Sequence, residues 1–261
     1  MREIFEPIRD HYSFAQPIQE LAAQVEFFSE SVVNSQHFTV EMFPSWTPTM
    51  YINLGRSYHI SLDKSVHSIA SDADILVLRD CKTIRHNAPG DRIFTIKFRP
   101  GGLENILGVS QLQLTRRIVP LSHVLPPVII DQIKKCNSLY DRKATVENFF
   151  VSMFNNRKAD HYLNLVRDII TTYQANGMIH NVSQLAERYF VTSRSINRYF
   201  HRVIGTSPKD YFSVLRAREA LQVYALQEKP FDPCSFGYYD ASHFYREASR
   251  FTGLPLKVLK S

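Results

Sequence analysis

Arg194, Asn197, Arg198 and His201 follow one another at intervals of three, one and three residues within the stretch TSRSINRYFHRVIG, Thr192 to Gly205. On an α-helix such spacing gathers their hydrogen-bonding groups on one face. Arg can hold O6 and N7 of guanine through two bonds, and Asn can do the same for N6 and N7 of adenine. Ile196, Tyr199, Phe200 and Val203 carry the same period shifted by two and make an apolar face. One face of this helix would pack and the other would meet base edges. Thr192 stands where an N-cap belongs and Gly205 where a C-terminal cap belongs. The free N–H groups at such an N-terminus favour phosphate.

The pattern is repeated. Shifted by 48 residues, Ile196 falls on Phe244, Asn197 on Tyr245, Arg198 on Arg246, Arg202 on Arg250 and Gly205 on Gly253. Thr192 falls on Asp240, a second capping residue. Phe244, Ala248 and Phe251 are expected on the packed face of the second helix; Ser242, Tyr245, Arg246 and Ser249 are expected on the open one. Each copy follows a short segment and a turn, LAERYFVT and PCSFGYYD. A short helix, a tight turn and a two-faced second helix make a helix-turn-helix. A single Arg-rich helix is usually just a solvated surface. The repeat, the turn spacing and the local basic charge together favour a reading face.

These helices need a scaffold. Over 161–173, Tyr162, Leu165, Ile169 and Tyr173 form one apolar stripe, and Gly177 ends that helix. Val182, Leu185, Ala186 and Tyr189 mark the next. Ser207, Pro208 and Asp210 form a strong helix start, and that helix runs to about Leu226. Residues 1–100 favour strands instead. TMYINLG, SYHISLD, DILVLRD and RIFTIKFRPGG are short, rich in Ile, Tyr, Phe and Leu, and divided by Gly, Ser, Asp and Pro. They suggest a small antiparallel barrel or sandwich. Helices are expected at LENILG, 127–140 and 144–155. The fold class is therefore α+β. An N-terminal domain, 1–157, is β-rich over 1–100 and helical over 101–157. An all-α domain, 158–261, holds two helix-turn-helix units joined by a long helix.

The 261 residues, 44% hydrophobic, suffice for such an arrangement. The longest apolar runs, ILVL and PPVII, are too short to span a bilayer. The acidic N-terminus MREIFEPIRDHY does not read as a signal peptide. Cys81, Cys136 and Cys234 are odd in number and widely spaced, which suits free thiols in a reducing cytoplasm. Of the net charge of +6, residues 158–261 carry +5 and residues 1–157 carry +1. That asymmetry suits a polyanionic partner.

Residues 161–258 resemble the C-terminal domain of the AraC/XylS family of bacterial transcription regulators. The resemblance lies in LAERYFVTSRSINRYFHRVIGTSPKDYFSVLRAREAL and FGYYDASHFYREASRFTGLP. It implies recognition helices at 193–204 and 241–252 that enter successive major grooves on one face of double-stranded DNA. Ser193, Arg194, Asn197 and Arg198 would lie in the first groove, with Thr192 and His201 beside them. Ala241, Ser242, Tyr245 and Arg246 would lie in the second. Residues 96–125, IKFRPGGLENILGVSQLQLTRRIVPLSHVL, are similar to a domain found ahead of AraC-type DNA-binding domains, a cupin-like sensory or oligomerising module. The resemblance thus implies a cytoplasmic regulator with DNA as partner. A small-molecule effector or a second copy of the chain would act at the N-terminal domain, and RNA polymerase would be a partner of an activator. No cofactor and no membrane are implied.

The second unit departs from the family. Asp232-Pro233 stands where relatives have an apolar residue and Ala. Asp232 as N-cap and Pro233 at the first helical position would leave about one turn before Gly237. Ala248 stands where relatives usually have Phe. Chemistry beyond DNA finds little support. Gly-x-Ser-x-Gly, phosphate-loop and His-Glu-x-x-His motifs are absent, so the chain is not read as an enzyme. His37, His59, His67 and His86 show no metal-ligand spacing, and no metal site is assigned. The basic neighbours of Cys81 would lower its pKa, although a buried inert thiol fits better. FRPGG, 98–102, reads as a turn with Arg99 in a structural role. The alternatives kept open are a degenerate family member acting through protein partners, and a cupin-like enzyme or metal-binding protein with an appended helical domain.

Overall fold

A computed structural model describes residues 11–34, 37–156, 160–226 and 231–252. The chain divides into two compact units, the first running to Asp160 and the second from His161, with Phe43–Ser45 grouped with the second.

Among its described residues the first unit has ten strands: β1 Tyr12–Ala15, β2 Val25–Val32, β3 Phe38–Met42, β4 Pro48–Asn53, β5 Tyr58–Leu62, β6 Ser65–Ile69, β7 Ile75–Leu78, β8 Thr83–Asn87, β9 Arg92–Phe98 and β10 Ile118–Pro120. They form a six-stranded sheet, β1-β2-β9-β4-β7-β10, and a four-stranded sheet, β3-β8-β5-β6, antiparallel throughout. Strand alternation builds two cores. Met50, Ile52, Phe94, Ile96 and Phe98 point to one face of the larger sheet. There they meet α1 Gly102–Leu107, α2 Pro127–Lys135 and α3 Leu139–Asn155 through Leu103, Ile106, Ile133, Val146 and Phe150. Tyr51, Ile75, Val77 and Ile93 point the other way, onto Tyr58, Ile60, Leu62 and Ile69 of the smaller sheet. The larger sheet is thus the middle layer, buried on both faces. This explains its continuous apolar runs such as ILVL.

The four strands expected from composition are all present. Strand β2 escapes that reading because its sequence VEFFSESV places Glu26 and Glu30 at buried positions. Glu30 accepts from Arg92 Nε at 2.6 Å and from Arg142 Nη1 at 2.9 Å. At FRPGG, Gly101 has a φ of 73°, and a Cβ on Gly102 would stand 2.0 Å from the Gln24 carbonyl oxygen. Arg99 donates through Nε to the Ala22 carbonyl at 2.9 Å, a structural role. One boundary needs correction. The break between α2 and α3 lies at 136–138 rather than 141–143. Ser138 caps α3 by accepting from the Asp141 N–H at 3.1 Å, and a capped start outcompetes continuation of the helix before it.

The second unit is helical: α4 His161–Ala175, α5 Val182–Arg188, α6 Ser193–Val203, α7 Pro208–Leu226 and α8 Ala241–Thr252. A single 3-10 turn, Pro233–Phe236, stands before α8. The buried stripe of α4 is Leu163, Val166, Ile169, Ile170 and Tyr173. Tyr162 and Leu165, expected there, are not among the buried residues. Tyr162 is 38% exposed, and its amphipathic ring packs at the rim against Tyr199, centroids 4.8 Å apart. Among the described residues, no helix is long and apolar enough to cross a membrane.

Candidate nucleic-acid interface

Two local devices set α6 in place. Thr192 Oγ1 accepts from the Ser195 N–H at 3.1 Å, fixing the start. At the other end Gly205, with a φ of 93°, donates its N–H to the Phe200 carbonyl at 3.1 Å. The helix buries Ile196, Phe200 and Val203. Phe200 meets Phe212 of α7 edge-on at 5.3 Å, and Phe212 stacks on Tyr173 of α4 at 4.0 Å. Ser193, Arg194, Asn197, Arg198 and His201 are all exposed. Arg198 leans its guanidinium over the Tyr199 ring, 5.2 Å from its centroid. Arg202 does the same over Tyr162 at 4.9 Å. Helix α6 contains no acidic residue, so its open face presents donors and positive charge.

The turn before α6 holds Phe190 at a φ of 54° with the side chain 97% exposed. Tyr239, in the corresponding turn before α8, is 88% exposed.

Helix α8 repeats the design. Asp240 Oδ1 accepts from the His243 N–H at 2.7 Å. Phe244, Ala248 and Thr252 are buried. Thr252, rather than Phe251, completes the buried stripe. Gly253, the repeat partner of Gly205, lies outside the described residues. Ala241, Ser242, Tyr245 and Arg246 are exposed, as is Arg250. The scaffold turn is short, as Asp232-Pro233 leads one to expect. Asp232 caps it by accepting from the N–H groups of Cys234 at 3.0 Å and Ser235 at 3.2 Å, and Gly237 closes it at a φ of 72°.

A group that the face assignment left out proves central. Glu247, on α8, turns inward and meets Arg216 of α7, whose Nη2 lies 3.0 and 2.9 Å from its two oxygens. The Ser213 hydroxyl donates to the same carboxylate. Arg216 in turn lies over the Tyr238 ring at 4.6 Å. Burial by itself raises the Glu247 pKa. The Ser213 hydrogen bond, the nearby Tyr238 hydroxyl and the Arg216 charge outweigh it, leaving the carboxyl below its ordinary range. Burial also pushes the Tyr238 hydroxyl up, which keeps it neutral. The pair fixes α8 on α7. It also withdraws the one acid of α8 from the open face, whose charges are then Arg246 and Arg250. The sequence signal for this was an acid placed among the basic residues of α8.

A family model described as a helix-turn-helix domain matches residues 185–261. Those residues contain both open-faced helices. The chain carries an AraC-type helix-turn-helix domain. Its fold over nearly the whole length is similar to that of ToxT from Vibrio cholerae, with a TM-score of 0.50 at 9% identity, covering 95% of this chain and 98% of that one. ToxT from Vibrio cholerae O395 gives a TM-score of 0.50 at 9% identity, covering 96% and 98%. The same protein bound to (E)-4-(8-methylnaphthalen-1-yl)but-3-enoic acid gives 0.50 at 9%, covering 95% and 98%. These likenesses show the fold. No curated protein matches the chain.

Other residues weighed for chemistry are dispersed. His59 and His86 face each other across β5 and β8, but His86 Nε2 lies 2.9 Å from Ser61 Oγ. No group of three or more metal-ligating side chains occurs among the described residues. The Cys81 thiol is pushed up to about 11, by burial first and then by Asp80 and Asp63. The lowering expected from its basic neighbours does not occur; burial, the largest cause, instead fits the inert thiol.

Proposed function

We propose that this protein is a sequence-specific DNA-binding transcription regulator whose helices α6 and α8 enter successive major grooves. The observation that carries the reading is the pair of repeated helices, each with a buried apolar stripe and an acid-free open face, held on one long helix. Thr192, Ser193, Arg194, Asn197, Arg198 and His201 would serve the first groove. Ala241, Ser242, Tyr245 and Arg246 would serve the second. Arg194, Asn197 and Arg198 have the donors that base edges require. Ala241 and Ser242 offer less, so most discrimination would come from the first unit. Residues 158–261 would be the DNA-binding domain. Residues 1–157 would bind a small-molecule effector or a second copy of the chain, and the ligand held by ToxT supports the effector role. The protein would act in the cytoplasm, with RNA polymerase as a further partner if it activates.

A mobility-shift assay of the full chain, followed by selection of sites from random DNA, tests this. One sharp motif and one weak motif, about one helical turn apart, are expected. Arg246→Ala should weaken binding on all sequences and reduce the salt slope by about one. Absence of any DNA preference would refute the proposal.

A further inference from the structure

Helix α5 closes on a left-handed residue. Phe190, at a φ of 54°, donates its N–H to the Glu187 carbonyl at 3.1 Å, and Val191 donates to the Ala186 carbonyl at 3.0 Å. Such a closure suits glycine, because a Cβ crowds the backbone in this conformation. Gly177, Gly205 and Gly237 hold it at the ends of α4, α6 and the 3-10 turn, with φ of 67°, 93° and 72°. Met178 also stands at a positive φ, 61°, but its side chain is 8% exposed, so packing offsets the strain. Phe190 is 97% exposed, so packing offsets nothing. A bulky residue in this region is an outlier, and a strained residue that the fold does not use points to a use outside the fold.

A second observation lies in the repeat. Among the described residues, Phe190 and Tyr239 are the two most exposed large apolar side chains, at 97% and 88%. Phe190 stands two residues before Thr192, the N-cap of α6. Tyr239 stands one residue before Asp240, which holds the start of α8. Each two-faced helix thus has one bare aromatic ring at the same end. In a helix-turn-helix the N-terminal residues of the second helix reach the base edges, so a ring just ahead of them meets the wall of the groove. Two matched rings also call for a partner that repeats as the two units repeat, and a DNA duplex does. We propose that Phe190 and Tyr239 each pack against deoxyribose carbons on the wall of the groove that the following helix enters. Sugars present apolar surface at every step, so this contact adds affinity without reading sequence and without neutralising phosphate. The proposal deepens the DNA-binding reading above and rests on it.

The test uses the full chain, titrated at several salt concentrations against its selected DNA site and against single-base variants of that site, with melting temperatures measured alongside. Phe190→Gly suits the backbone, so the melting temperature should stay at the wild-type value or rise. Affinity should nevertheless fall about fivefold on every sequence, with the salt slope unchanged. Phe190→Tyr keeps the ring and should bind as wild type does. Tyr239→Ala should show the same signature as Phe190→Gly, and the double variant should show the product of the two losses. Wild-type affinity in Phe190→Gly would overturn the proposal. So would a lower melting temperature, which would place the ring in the fold, or a loss confined to one base position, which would place it on a base. Unchanged DNA affinity with impaired transcription would assign the ring to a protein partner and overturn it as well. A wild-type chain that binds no DNA removes the regulator reading and this one together. DNA binding that ignores Phe190→Gly and Tyr239→Ala removes this one alone.

Discussion

Arg198 and Phe200 stand two residues apart on α6 and should fail in opposite ways. Arg198 is exposed and leans on Tyr199, so its loss removes a donor and little packing. Arg198→Ala should weaken the preferred DNA site by about 1–3 kcal/mol and relax base preference there, as read by competition among selected sites. Equal loss on every sequence would assign Arg198 to phosphate instead. Phe200 is fully buried between α6 and α7. Phe200→Ala should cost roughly 3–5 kcal/mol of stability, read by denaturant unfolding of the chain. An unchanged unfolding midpoint would invert the assignment of faces. The exposure of Arg198 and the burial of Phe200 were legible in the sequence, because a helical period sorts neighbours onto faces without reference to anything distant. Tyr162 shows the limit of that argument. A tyrosine has a polar tip and an apolar body, so its place on an apolar stripe does not decide between core and rim.

At the scale of elements, what could be read was what local chemistry controls. Thr192, Ser207, Asp232 and Gly205 mark ends through bonds spanning two to five residues, and each stands where expected. Strand β2 was hidden because Glu30 is tolerated there through Arg92 and Arg142, 62 and 112 residues away. Glu247 was hidden for the same reason, since its partner lies 31 residues back on α7. That pair makes a pH prediction. The folded state holds the Glu247 carboxyl below its ordinary value. Its contribution is therefore complete above the unfolded pKa of about 4.3 and is lost as pH falls through the folded value. Glu247→Gln should cost on the order of 3 kcal/mol near neutrality, because Arg216 is left buried without its counter-charge. It should also flatten the acid limb of the stability curve, followed by thermal melts from about pH 6 to about pH 3. An acid limb unchanged by the substitution would show that the pair does not fasten α8.

At the scale of the whole molecule, among the described residues of the second unit α7 lies between α6 and α8 and packs on both. Phe212 packs under Phe200 at one end of α7, and Tyr224 packs on Phe244, centroids 5.5 Å apart, at the other. Between them Val214, Leu215, Ala217, Ala220 and Leu221 are buried, so the helix is gripped on several sides and has no joint. The angular phase between the two helices is therefore counted out in residues. One alanine inserted between Ala217 and Arg218 would turn everything beyond it by about 100° and advance it by about 1.5 Å. Sites selected by that variant should keep the first motif and lose its fixed distance to the second. An unchanged distance would mean that the second unit finds its groove independently. If both helices enter DNA as proposed, the length of α7 would act as a ruler graduated in base pairs.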